Sequence, residues 1–205
     1  MGLSVKWASC NFGANTPEKY GDYFAWGETA PYYTAGHSQD DPCNNWKDNK
    51  TGYNWASYKF RTSGNSLGDL RFYKYNTSSD YGAVDNKTVL APGDDVAHIK
   101  LGGKWRMPTI KDWEELLDEC TWTWTTQNGV NGARVTGTNG NSIFLPAAGR
   151  GGADLYDAGS YGYYWSSSLD TGGPNDACFV FFYSDGVRRY GSSRCYGFSV
   201  RPVTE

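Results

Sequence analysis

The chain has 205 residues and a formal net charge of −3 at pH 7, which is length enough for one real core and no bulk positive field to draw in nucleic acid or an anionic membrane. It contains no run of roughly 18 or more apolar residues, so no membrane span is expected. The N-terminus, Met1-Gly2-Leu3-Ser4-Val5-Lys6-Trp7, has no secretory apolar core, and Lys6 stands where a myristoylation signal needs Ser or Thr.

Strand-like sequence starts at once, as in a domain excised from a larger exported protein. Residues 3–12 alternate, with Leu3, Val5 and Trp7 set against Ser4, Lys6 and Ala8, and are predicted as a half-buried strand. Thr16-Pro17-Glu18 is arranged as N-cap, N1 proline and first-turn acid, predicting a short helix that Gly21 ends. Residues 27–85 are polar, aromatic and aperiodic. Their many Trp and Tyr residues can bury area that a linker cannot, so an ordered insertion within one domain, 1–205, is expected.

Asp94-Asp95-Val96-Ala97-His98 reads as the capped start of a short helix; oxygen ligation of a metal is the weaker reading. Thr109 to Cys120 carries the clearest helix signal. Thr109 is the N-cap with Asp112 at N3, and Trp113, Leu116, Leu117 and Cys120 form one apolar stripe. Thr121–Thr126 alternates as a strand. Ala133–Gly137 and Ser142–Leu145 flank the Asn-Gly turn at 138–141, and Cys178–Tyr183 and Val187–Tyr190 flank Ser184-Asp185-Gly186, giving two hairpins. A last strand is predicted over Phe198–Val203. The whole is α+β: two helices packed on short antiparallel sheets, loop-rich, with a long insertion.

From Asn141 to Thr204 there is no Lys, Glu, Gln or Met, and all ten lysines lie at or before Lys111. Roughly ten residues of those four types would be usual over such a length. Randomising both adenines of an AAC or AAT codon yields fifteen amino acids and never Lys, Glu, Gln, Met or Trp. Trp165 is the single exception to that exclusion in the segment. The composition therefore reads as a surface diversified for binding.

Gly103-Lys104-Trp105-Arg106-Met107-Pro108-Thr109 with Asp112-Trp113-Glu114-Glu115-Leu116 resembles the motif opening the second helix in C-type lectin folds of the formylglycine-generating-enzyme type. Phe144–Gly149, Tyr164–Ser168 and Gly197–Val203 continue the pattern in order. Gly2–Ala8 and Tyr20–Glu28 look like gut-bacterial members of the group. Within it, the chain is similar to the variable proteins of diversity-generating retroelements. That resemblance implies a rigid lectin-like scaffold displaying mutable side chains for adhesion or receptor binding, on a cell surface or a virion tail. It implies a protein or glycan ligand and no cofactor.

The variable, ligand-binding region is expected over 150–200. Its candidate positions are Tyr156, Asp157, Tyr161, Tyr163, Asp170, Gly172, Gly173, Asp176, Cys178, Phe179, Phe181, Tyr183, Gly186, Arg188, Arg189, Tyr190, Ser192, Ser193 and Tyr196. They should form one contiguous exposed face, with Trp165, Val180, Phe182, Val187, Val200 and Pro202 as scaffold. Phe179, Phe181 and Tyr183 share one side of a strand and Val180 and Phe182 the other, so one apolar side is either a second core or a sticky patch.

Catalysis is not expected. His37 and His98 are the only histidines, and no HExxH, GxSxG or P-loop pattern is present. Cys10, Cys43, Cys120, Cys178 and Cys195 make an odd count without CxxC spacing, which argues against zinc; a Cys178–Cys195 pair stays open. The calcium-binding motifs of lectins are lacking, and Pro174-Asn175-Asp176 reads as a turn. Two other readings are an adhesive module without diversification and a degenerate formylglycine-type enzyme.

Overall fold

The computed structural model describes residues 1–33, 46–63 and 69–205; His37 and Cys43 lie outside the described residues, with the rest of 34–45 and 64–68. In chain order the described elements are β1 (Lys6–Trp7), β2 (Tyr23–Phe24), β3 (Arg61–Ser63), β4 (Arg71–Phe72), α1 (Val96–Leu101) and α2 (Ile110–Glu119). There follow β5 (Thr121–Gln127), β6 (Val130–Thr136), β7 (Ser142–Pro146), β8 (Arg150–Gly151) and β9 (Leu155–Tyr156). The last are β10 (Gly162–Leu169), β11 (Asp176–Tyr183), β12 (Gly186–Ser193), β13 (Phe198–Ser199) and β14 (Val203–Thr204). The architecture is α+β.

The central sheet has the order β12-β11-β10-β13-β2. All its pairings are antiparallel except β10 with β13. A second sheet, β5-β6-β7, is a meander, and β1 pairs with β14 near the two chain ends. Helix α2 packs its Trp113 and Leu116 beneath the central sheet, against Tyr164, Val180 and Phe182. Its start is the expected capping box: Asp112 N–H donates to Thr109 Oγ1 and Thr109 N–H to Asp112 Oδ2 (2.6 Å). Asp95 caps α1 by its side chain alone, accepting from Ala97 and His98 N–H.

The described part of the 27–85 stretch shares the main core. Tyr32, Tyr33, Tyr53, Tyr58, Phe60, Leu70, Phe72 and Tyr75 are buried together with Trp26, Trp165 and Phe198. Packing is therefore the use of these rings.

Three expectations are corrected. The strand placed over 3–12 is only Lys6–Trp7. The helix expected from Thr16 is a single turn, closed by Lys19 N–H to Thr16 O (3.2 Å). The loop around it is pinned by Asp22 N–H to Phe12 O (2.8 Å) and Asn11 Nδ2 to Tyr20 O (2.8 Å), which leaves too few residues for a nucleated helix. The Phe198–Val203 strand is split into β13 and β14 by Val200–Pro202. Strand β10, the middle of the central sheet, was not foreseen.

Candidate aromatic binding face

Register divides the candidate residues between two sides of the β11–β12 hairpin. Directly opposed residues share a face. Phe179 faces Tyr190, Phe181 faces Arg188 and Tyr183 faces Gly186; across the other edge, Tyr163 faces Phe181 and Trp165 faces Phe179. On the reverse side Tyr164 opposes Val180, which opposes Arg189, while Phe182 opposes Val187 and Cys178 opposes Gly191. The scaffold expectation fits on burial. Val180 and Phe182 are buried on this reverse side with Val187 half-buried against them, while Trp165, on the front side, and Val200 and Pro202 are buried as well.

The apolar front of β11 is a graded surface. Ala177 is fully buried, Phe179 is 6% exposed, and Phe181 and Tyr183 are half-buried. The front begins as core and emerges toward the hairpin tip. Phe179 is thus corrected from a displayed residue to a core residue, packed on Phe198 (5.0 Å between ring centroids) and Trp165 (6.1 Å). Further along, Tyr161 stacks on Phe181 (5.4 Å, 12°) and meets Tyr163 (6.3 Å) and Tyr183 (5.6 Å). Phe181 also touches Tyr163 (5.3 Å) and Tyr183 (5.4 Å). Four half-exposed rings therefore form one continuous patch, flanked by exposed Arg188 and by Tyr190, which is 52% exposed.

A cation sits at the other border. The Arg150 guanidinium lies over the rings of Tyr156 (5.2 Å), Tyr196 (5.2 Å) and Tyr163 (6.0 Å). Asp157 accepts from Arg150 Nε (3.4 Å) and from the Tyr163 hydroxyl (2.9 Å). Burial first, and then the bond to Asp157, push the Tyr163 hydroxyl up to about 12, so it stays a donor at neutral pH. Sequence reading missed Arg150, whose role arises only when β8, β10 and the 194–197 turn meet. Beneath this corner, Gly151 and Gly197 exchange backbone hydrogen bonds (2.7 and 3.0 Å). A Cβ at either glycine would lie 2.6–2.7 Å from the Tyr53 ring. The insertion therefore supports the face from below.

The remaining candidates separate from it. Cys178 and Arg189 lie on the α2 side, where Arg189 pairs with Glu114 (3.1 Å). Asp176 and Ser193, opposed at the base of the hairpin, share that side. Asp170 and Gly172 close the β10–β11 loop, with Gly172 N–H donating to Asp170 Oδ1 (2.7 Å) and Gly173 O accepting from Asp176 N–H (3.1 Å). Ser192 is at the half-buried base of the front side. The single contiguous face is thus corrected to a front patch, chiefly Tyr156, Asp157, Tyr161, Tyr163, Phe181, Tyr183, Arg188, Tyr190 and Tyr196, with a separate loop-and-back group.

Among the described residues Cys10, Cys120, Cys178 and Cys195 are free thiols, so Cys178 and Cys195 are not bridged. Burial pushes Cys178 up to about 11 and Cys195 up to about 12. No group of three or more His, Cys, Asp or Glu side chains among the described residues is placed to hold a metal. Among the described residues no helix is long and apolar enough to cross a membrane. Comparison with known proteins gives no significant match to a family model, a curated protein or a solved structure.

Proposed function

We propose that this chain is a non-enzymatic binding protein whose ligand is engaged by the front patch of the β10–β11–β12 sheet, on a C-type lectin scaffold of the formylglycine-generating-enzyme type. The observation that carries it is the coincidence of two independent features. The segment lacking Lys, Glu, Gln and Met is the one that supplies the half-exposed ring patch, and the Trp it contains is fully buried. Tyr and Phe offer large contact area with few rotors to freeze, and Arg and Asp at the rim add directional bonds, as in antibody loops.

The scaffold reading is supported by how the quoted motifs join. Arg106 and Val203 exchange backbone bonds (3.0 and 2.9 Å), and Ser167 N–H donates to Pro108 O (2.7 Å). Trp113 Nε1 donates to Trp165 O (3.3 Å), and Trp165 stacks on Phe198 (4.1 Å). Enzymatic use of Cys178 and Cys195 is disfavoured because their thiols stay protonated at neutral pH. Diversification by a retroelement and display outside the cell, on a bacterial surface or a phage tail, complete the proposal; the ligand is a protein or glycan of such a surface.

Sequencing sibling genes and the surrounding locus tests it. Differences should cluster at AAY-derived codons for the front-patch residues, beside a template repeat and a reverse transcriptase gene, and should spare Trp165, Val180 and Phe182. Differences spread evenly along the gene would overturn diversification and leave an invariant adhesive module. For binding itself, Phe181→Ser with Tyr183→Ser should abolish capture on an array of surface proteins and glycans without altering the circular dichroism spectrum.

A further inference from the structure

A cleft of about 640 Å³ lies away from the aromatic patch and shares no residue with it. It is lined by the 1–9 segment, including Val5, Lys6 and Trp7, and by the 141–144 segment, including Ser142 and Phe144. These are two strand edges. β1 pairs only with β14, and β7 pairs only with β6 among the described residues. Volumes of this size are typical of binding sites.

Hydrogen-bond parity shows which backbone groups face the gap. Gly137 N–H bonds Asn141 O and Ala147 N–H bonds Asn131 O. In an antiparallel ladder bonded pairs alternate with non-bonded ones. Ile143 and Leu145 therefore turn toward β6, while Ser142 and Phe144 turn their N–H and C=O outward. By the same parity, Ala8 N–H bonds Pro202 O, so the intervening Trp7 turns its N–H and C=O away from β14. Arg201 spans the end of the gap, with Nη1 on Ala8 O (3.1 Å) and Nη2 on Phe144 O (2.8 Å). One guanidinium thus joins the residue after β1 to the middle of β7 and takes up the outward Phe144 carbonyl, leaving the Ser142 end of β7 as the open edge. The Trp7 indole N–H, also at this cleft, is buried with no acceptor.

We propose that this cleft is a slot for an extended strand of a partner protein carrying alternating acidic and apolar residues. An inserted strand would bond the open edges of β1 and β7, the recognised mode of strand addition at an unpaired edge. The acidic character follows from the lining. It holds two cationic side chains, Lys6 and Arg134, both exposed and without an ion pair among the described residues, and no Asp or Glu. Glu18, next to Pro17 at the rim, is engaged by Thr16, Asn128 and Gln127. Ile143, Leu3 and Val5 offer apolar contact between the charges.

The test uses blocked peptides of sequence Thr-Val-Glu-Val-Glu-Val-Thr, its Lys-for-Glu counterpart, and a version with Pro at the central Val. Titration calorimetry should show the Glu peptide binding the whole chain, with the other two about tenfold weaker or silent. Hydrogen exchange should slow at the amides of Trp7 and Ser142. Lys6→Glu with Arg134→Glu should abolish binding while the melting temperature stays within a few degrees, both side chains being exposed, and Phe181→Ser should leave it intact. No binding of the Glu peptide, equal binding of the Lys peptide, or binding without slowed exchange would overturn the slot. Competition by N-acetylglutamate at similar affinity would equally overturn it, showing a small-anion pocket instead.

Discussion

Asp94 shows how a single side chain ties the insertion to the rest of the fold. It is buried, and its carboxylate accepts from Lys59 (3.3 Å), Lys74 and the Tyr75 hydroxyl (2.7 Å). Burial acts to raise its pKa, but the bonds from Lys74, Tyr75 and Lys59 outweigh it and hold the group below its ordinary value. The contribution is therefore complete above the unfolded value of about 3.9 and is lost as pH falls through the lower folded value. Denaturant titrations from pH 7 down to 2 should show stability falling below about pH 4, and Asp94→Asn should be less stable at pH 7 and flatter across that range.

Arg194 is the opposite case. It is fully buried, with Nη1 donating to Tyr75 O (3.0 Å), while Nε and Nη2 have no partner. It lies over the rings of Phe72 (4.0 Å), Tyr58 (5.5 Å) and Trp26 (5.6 Å), and burial lowers its pKa. Among the described residues no ion pair offsets the desolvation of its charge. Arg194→Met should therefore leave urea stability unchanged or raise it by up to about 2 kcal/mol.

Among the elements, β11 best joins pattern to energetics. Its reverse side, Val180 and Phe182, is core throughout, whereas its front side grades from Ala177 to Tyr183. Phe182→Ala should cost about 3–5 kcal/mol, and Phe179→Ala should approach that figure. Phe181→Ser and Tyr183→Ser should each cost about 1 kcal/mol or less, because their half-buried rings keep much of their area in water. A urea melt of the four variants would show this order; equal losses at 179 and 183 would contradict the graded surface. For α2, Thr109→Ala should cost about 1 kcal/mol through loss of the capping box.

At the scale of the molecule, the ring patch rests on the insertion. The Tyr53 ring lies against Gly151 and Gly197, and its hydroxyl donates to Tyr23 O. Tyr53→Ala should lower the melting temperature sharply, with a loss of about 3–5 kcal/mol. Replacing Tyr161, Phe181, Tyr183 and Arg188 together by Ser should lower it by only a few degrees, the tolerance a mutable surface requires.

Local signals were legible wherever the cause of structure is local. The Thr109–Asp112 box, the Asn139-Gly140 turn and the alternation of 178–183 each depend on neighbours within a few residues, and each formed an element near its expected bounds. Aromatic content likewise showed that the described part of 27–85 must be packed. By itself the sequence also determined the class of the fold and that Val180 and Phe182 lie opposite Phe179, Phe181 and Tyr183, because both follow from hydrophobic period; with both sides apolar, it did not say which of them faces the helix. Only the tertiary structure decided the rest. Strand β10 was illegible because its Ser166-Ser167-Ser168 run looks like a loop until Ser166 Oγ donates to Cys178 O (2.7 Å) and Trp113 packs beneath. Pairing register placed Cys178 and Arg189 at the back and Phe179 in the core, and the meeting of remote loops made the Arg150 ring cage. Residues far apart in the chain come together only through burial of the whole core, and no short-range pattern records where that burial ends.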